Sequence, residues 1–245
     1  MKKIEDKNKI KGLLEEDKIF TSNILGRMKY EKGYNIFVDD VDNINGVLLK
    51  SGNWYLVYSP EDKIAKKLIN NLKGNKLNFA GVPIEYYNFI KESKEIDWEE
   101  ICHLYYIDSN EFELLKPNHK VSNLRMKDAE IVNEFYTYKS ENSIDYIKNC
   151  IAERKTSCIF DKNGKPLSWA VIREDGSMGI MYTRKEYRNK GLAISVTLDL
   201  INKVINNGDT PFVHIVHGNT PSVRLAEYIG FKKHGDIAWF GTKDI

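Results

Sequence analysis

Apolar positions along this chain switch between two periods, and the switches outline its elements. "VLLKSGNWYLVYS" (47–59) is apolar at nearly every position outside a central "SGN", which predicts two strands around a turn at Gly52. Ile64, Leu68 and Leu72 then recur at helical spacing. Ser59 stands where it can cap that helix, Pro60 suits its first turn, Asp62 completes a capping box and Gly74 ends it. "KLNFAG" reads as a short strand, "VPIEYYNFIKES" as a helix and "ICHLYYID" (101–108) as a strand. The first twenty residues read as a charged, weakly amphipathic helix. Pro117-Asn118-His119 is the clearest boundary signal.

The second half repeats the rhythm. "SNLRMKDAEIVNEFY" predicts a short strand and a helix with Ile131, Val132 and Phe135 inward, and "SIDYIKNCIAERK" predicts another helix. A hairpin is expected around Asn163-Gly164, followed by the strand "SMGIMYT". Ile194, Leu198, Ile201 and Ile205, with a second row at Val196, Leu200 and Val204, mark a long helix that lies against a sheet, and Gly208 stops it. "PFVHIV" is a strand, "NTPSVRLAEYIG" a helix, and "FKKHGDIAWFG" the closing strands. Strand–helix–strand–helix–strand thus occurs over 53–107 and again over 178–240, the mark of a tandem repeat. The expected domains are 1–117 and 118–245.

Composition narrows the picture. The chain has 245 residues, 42% hydrophobic, enough to build a core. Its net charge of +2 gives no reason to expect nucleic acid or an anionic membrane as partner. No apolar run approaches the roughly 20 residues that span a bilayer. The opening "MKKIEDKNKIKGLLEED" lacks the apolar core of a secretory signal. Cys102, Cys150 and Cys158 are scattered without metal-ligand spacing, which predicts buried thiols, no metal and a cytoplasmic setting.

The chemistry concentrates in "YRNKGLAIS" (187–195). Arg188 and Lys190 crowd the mouth of the long helix, where the N-terminal N–H groups already carry about half a positive charge. Cations there are unfavourable unless an anion binds, and a phosphate group fits. Gly191 lets a ligand approach the backbone and Ala193 keeps the entrance open, so the N–H groups of Arg188, Asn189, Lys190, Gly191, Leu192 and Ala193 form a cup. The first repeat has only "SPED" at the matching place. Glu61 and Asp62 repel an anion there, so the first copy is expected to pack and the second to bind.

Strand "GIMYT", this loop, the long helix, strand "FVHIV", then Asn219-x-x-Ser222-x-x-Leu225 and Gly230-Phe231 together resemble the GNAT superfamily of acyl-CoA-dependent N-acyltransferases over about residues 121–245. "YTRKEYRNKGLA" and "NTPSVRLAEYIGF" look most like its glycine N-acyltransferase branch, whose members carry a degenerate N-terminal GNAT-like half. The resemblance implies an α/β (α+β) tandem fold, each half a mixed, splayed sheet flanked by helices. It implies acetyl-CoA or another acyl-CoA as cosubstrate, with its pantetheine arm along Met181, Tyr182 and Thr183 and its pyrophosphate on Arg188–Ala193. Asn219 and Ser222 would contact the pantetheine end, and a backbone N–H near Thr183 would polarise the thioester. The acceptor implied is a primary amine of a small molecule or amino acid, in a pocket lined by Tyr136 and Tyr138 of "YTYKSENS" (136–143); the protein is a monomer or a homodimer.

Two departures from the family pattern bear on catalysis. Where many members place a tyrosine to protonate the leaving thiolate, this chain has Ala226, and Tyr228 lies about 200° around the helix. A thiol with pKa near 8.5 leaves tolerably without an acid. Members often carry a glutamate on the strand matching "SMGIMYT"; none occurs here, and His217 is the titratable group best placed to relay the acceptor's proton, with His214 second. The alternatives are a non-catalytic CoA-binding or regulatory module and a protein N-acetyltransferase.

Overall fold

A computed structural model describes residues 1–243. The chain divides into two compact units. The first takes residues 1–104 with 214–219 and the chain from 233 onward; the second takes 105–213 and 220–232. A single cut after residue 117 does not reproduce this division, because the closing strand returns to the first unit.

The first unit opens with β1 (Lys2–Ile4), α1 (Lys11–Glu16) and α2 (Ser22–Tyr30). The expected N-terminal helix is therefore broken: Lys2–Ile4 pairs antiparallel with β2 (Tyr34–Val38), and sheet hydrogen bonding outweighs weak helical patterning. Strands β3 (Val47–Ser51) and β4 (Trp54–Tyr58) form the predicted hairpin with Gly52 at φ +55°. Helix α3 (Asp62–Asn70), β5 (Asn78–Pro83), α4 (Ile84–Ser93) and β6 (Ile96–Tyr106) follow. The N-cap of α3 is Glu61, and its side chain makes no capping bond. Ser59 instead accepts the Glu61 N–H at 3.0 Å while donating to the Asn45 carbonyl at 2.7 Å, which ties the loop to its neighbour and replaces the expected capping box. Leu48, Val57, Leu68, Phe79, Ile90 and Phe240 form the core of this unit.

In the second unit α5 (Ala129–Glu134) and α6 (Ser143–Glu153) precede β7 (Thr156–Phe160), β8 (Pro166–Ile172) and β9 (Met178–Thr183), an antiparallel three-stranded sheet. The strand expected near Ser122 shrinks to one bridge with Cys158. The long helix is α7 (Leu192–Ile205), with Leu192, Val196, Leu200, Ile201 and Val204 buried. Val132 of α5 and Ile147 of α6 pack in one cluster with Cys158, Trp169 and Val171 of the sheet.

The last elements are β10 (Phe212–Val216), α8 (Thr220–Ile229) and β11 (Lys232–Thr242). The large sheet is mixed and runs β1-β2-β3-β4-β5-β11-β6-β10, so the chain's final strand lies between two strands of its first half. It pairs antiparallel with β5, from Ile237 opposite Pro83 to Gly241 opposite Asn78. The repeat of element order is real: β4-α3-β5-α4-β6 and β9-α7-β10-α8-β11.

Candidate functional site

Residues 187–191 lead into α7. Gly191 is its N-cap at φ +76°, and Asn189 before it sits at φ +58°. Left-handed residues between right-handed neighbours turn N–H groups toward one side of a loop, and a left-handed asparagine is tolerated where a β-branched residue is not. Gly191 has no side chain with which to cap the helix. Arg188 Nε donates to the Thr183 carbonyl at 3.1 Å, and its guanidinium lies 5.4 Å from the Tyr182 ring centre. Lys190 Nζ donates to the Glu186 carbonyl at 3.2 Å. Both cations are thus held by neutral groups, whereas nearby Arg184 is paired with the Glu186 carboxylate at 2.7 Å. Sequence reasoning missed His119. Its ring lies 3.5 Å from where a Cβ on Gly191 would project, and its Nδ1 is 3.0 Å from Ser195 Oγ in the first turn of α7.

Strand β9 leads into this loop. It pairs with β8 on one side and ends the order of its own sheet, so its other edge has no strand partner among the described residues. Its register shifts opposite Trp169 and Val171, and Ile180 sits there at φ +46°. A β-branched residue in that region is strained, and such strain collects where backbone geometry serves a ligand. Nothing in the local sequence announces the bulge. Tyr182 turns its ring inward, stacked on Phe135 at 4.6 Å, while Met181 is 37% exposed. Thr183 Oγ1 lies 2.7 Å from Ser168 Oγ.

Beside β9, Tyr136 is half-buried, with Tyr138 edge-on at 5.8 Å and Tyr146 at 6.1 Å. Tyr138 is 48% exposed. Burial pushes the Tyr136 and Tyr146 hydroxyls above the usual phenol range, so both stay protonated. The Tyr146 hydroxyl donates to Glu174, which is 3.8 Å from Arg173. Arg173 in turn lies across Gly179, where an added Cβ would meet its Cδ at 2.7 Å. Tyr146, Arg173 and Glu174 join this group only through the fold.

The remaining predicted residues are distributed as follows. Asn219 stands directly before α8, and Ser222 lies in its first turn. Ala226 is buried, while Tyr228 is 75% exposed and points away from it. His217 falls in the first unit and Thr183 in the second. The His217 ring lies on that of His103, centres 4.0 Å apart, and its Nε2 is 3.5 Å from Asp236 Oδ1. His103 Nδ1 is 2.6 Å from the same oxygen and Lys233 Nζ is 2.9 Å from it. Burial works against the charge on Asp236, but the bonds from His103 and Lys233 hold its carboxyl down to about 2. His214 has other company: Trp239 Nε1 donates to its Nδ1 at 3.3 Å. All three cysteines are free and buried, and burial raises the thiols of Cys150 and Cys158, which suits packing rather than nucleophilic attack.

Residues 159–240 match the family described as FR47-like protein. Human glycine N-acyltransferase-like protein 1 is 29% identical over 146 residues, 59% of this chain and 47% of that protein. Both matches support a GNAT-superfamily, glycine N-acyltransferase-like protein. The chain spans about half the length of that curated relative. A Drosophila protein of known structure superposes with a TM-score of 0.83 at 14% identity, covering 99% of this chain and 98% of its own. A tandem GNAT protein from the clavulanic acid biosynthesis pathway gives 0.55 at 11% identity, covering 91% and 87%. The GNAT fold and its tandem arrangement therefore hold here. No helix among the described residues is long and apolar enough to cross a membrane.

Proposed function

We propose that this protein moves an acetyl or other acyl group from acyl-CoA directly to the primary amine of a small molecule or amino acid. The observation that carries the reading is the mouth of α7: two cations held by carbonyl oxygens and tyrosine rings, left-handed residues at Asn189 and Gly191, and a 14-residue helix whose N-cap is a glycine. That arrangement suits a pyrophosphate, whose charge the N–H groups and the two side chains share. The open edge of β9 supports a pantetheine arm paired to the backbone of Met181, Tyr182 and Thr183. A backbone N–H on this strand, beside the Ile180 bulge or near Thr183, then polarises the thioester carbonyl.

The acceptor pocket we assign to Tyr136 and Tyr138, with Arg173 and Glu174 behind them. Glycine stands in the name of the human relative, and a small amine of that kind fits a site offering both charges. The acceptor must shed a proton, a step we give to His217; Asn219 and Ser222 serve the pantetheine end. The buried free thiols suit a reducing, cytoplasmic setting.

A second reading, a CoA-binding module without catalysis, is favoured by the buried Ala226 and by the lack of a carboxylate on β9. Free-thiol release from acetyl-CoA, measured across a panel of small amines and amino acids, separates the two. Amine-dependent release supports transfer. CoA binding by calorimetry without release supports the module, and no binding at millimolar CoA sinks both.

A further inference from the structure

Three adjacent strands of the large sheet, in the order β11-β6-β10, converge on one spot in the first unit. His103 comes from the middle strand, Asp236 from β11, and His217 directly follows β10. The His217 N–H donates to the Ile101 carbonyl at 2.9 Å, which fixes the register of the end of β10 on β6. Ile101 and His103 then share a face of β6 by strand alternation. One ring nitrogen of each histidine and a carboxylate oxygen of Asp236 lie within 4.8 Å of one another.

We propose that His103, His217 and Asp236 form a binding site for a divalent d-block cation such as zinc. The donor set is two imidazoles and one carboxylate, which suits zinc, cobalt, nickel or copper(II) and is poor for magnesium or calcium. Bonds of about 2.0–2.2 Å to a tetrahedral centre place neighbouring donor atoms about 3.3 Å apart. The His217 Nε2–Asp236 distance of 3.5 Å already meets this. The His103 Nδ1–Asp236 distance of 2.6 Å must open by some tenths of an ångström, as a hydrogen bond gives way to two metal bonds. His217 is 43% exposed, so the site opens to solvent, and water can complete the coordination.

Lys233 is the competitor. Its ammonium is 2.9 Å from Asp236 and itself 43% exposed, on a flexible stem that can swing away when a cation arrives. It occupies the place of the metal's charge, so its removal is expected to tighten binding. The site shares His217 with the proposed proton relay but no residue with the α7 loop, so zinc binding is read apart from CoA binding. A metal bound there does take the His217 lone pair, so saturating zinc lowers any rate that depends on that imidazole.

The test is calorimetry of the full, tag-free chain with zinc chloride, with cobalt(II) absorption as the spectroscopic readout and magnesium as control. One zinc per chain is expected, with cobalt giving the visible bands of an imidazole–carboxylate site. His103→Ala, His217→Ala and Asp236→Asn each weaken zinc at least tenfold, and Lys233→Ala leaves it equal or tighter. His214→Ala and His234→Ala keep the parent affinity. His217 is exposed, so its variant stays informative even if His103→Ala or Asp236→Asn folds poorly. No saturable zinc binding below 1 mM, on the order of the weakest sites that matter, overturns the proposal. So does zinc affinity that is unchanged in His217→Ala.

Discussion

The two repeats share one element order and differ in what they leave open. In the first, β4 passes through Ser59-Pro60-Glu61 into the nine-residue α3. Its β4 and β5 pair in parallel only at Trp54–Asn78 and Tyr55–Phe79, so the strands part beyond that point. The gap is not left to a ligand: Asn23 of α2 donates to the Ala80 and Gly81 carbonyls at 3.1 and 2.8 Å. Gly81, at φ +57°, is enclosed by Asn23, His214 and Trp239, all within 3.3 Å of where its Cβ would lie. In the second repeat β9 is the edge strand of its sheet, paired on one side with β8, and the loop beyond it carries Arg188, Lys190 and two left-handed residues. Element order thus sets a framework that the two copies fill differently, with a buried amide in one and a cationic turn in the other.

The sharpest way to break this comparison is charge reversal at the second loop. Arg188→Glu should weaken CoA about 10²-fold, the scale of a lost charge-assisted bond plus repulsion. Calorimetry reads it directly, and unchanged affinity would remove the loop from the ligand. His217→Ala is expected to lower kcat by roughly 10²-fold in metal-free buffer while CoA affinity holds. Wild-type kcat in that variant assigns the proton to water or to an acceptor that arrives neutral.

Asn23→Ala tests the filled gap. Two buried carbonyls lose their side-chain donor, at a cost of about 1–3 kcal/mol, or several degrees in Tm. No second CoA site should appear, because the first repeat still lacks a phosphate cup. A stoichiometry of two CoA per chain in this variant contradicts that account. Smaller still, Glu61→Ala with Asp62→Ala should leave CoA affinity and the single-site stoichiometry unchanged. Tyr228→Phe should change kcat less than about twofold and stability by no more than about 0.5 kcal/mol, since its ring faces solvent. A large kcat loss there would instead mark it as the acid.

What the amino-acid sequence determined by itself is local. The α7 stripe, the Gly191 turn, the Gly52 and Gly164 hairpins and the burial of the cysteines all follow from periodicity and turn chemistry within a few residues. The repeat was legible for the same reason, as a sum of local elements. Tertiary structure alone decided the return of β11 between β5 and β6, the Asn23 plug, the bulge at Ile180 and the place of His119. It also gathered His103, His217 and Asp236, which no spacing in the chain suggests. His103 and Asp236 are 133 positions apart. Strand partners at such separation are chosen by which apolar faces can be buried together and which backbone groups remain to be paired, and these quantities exist only once the sheets have formed.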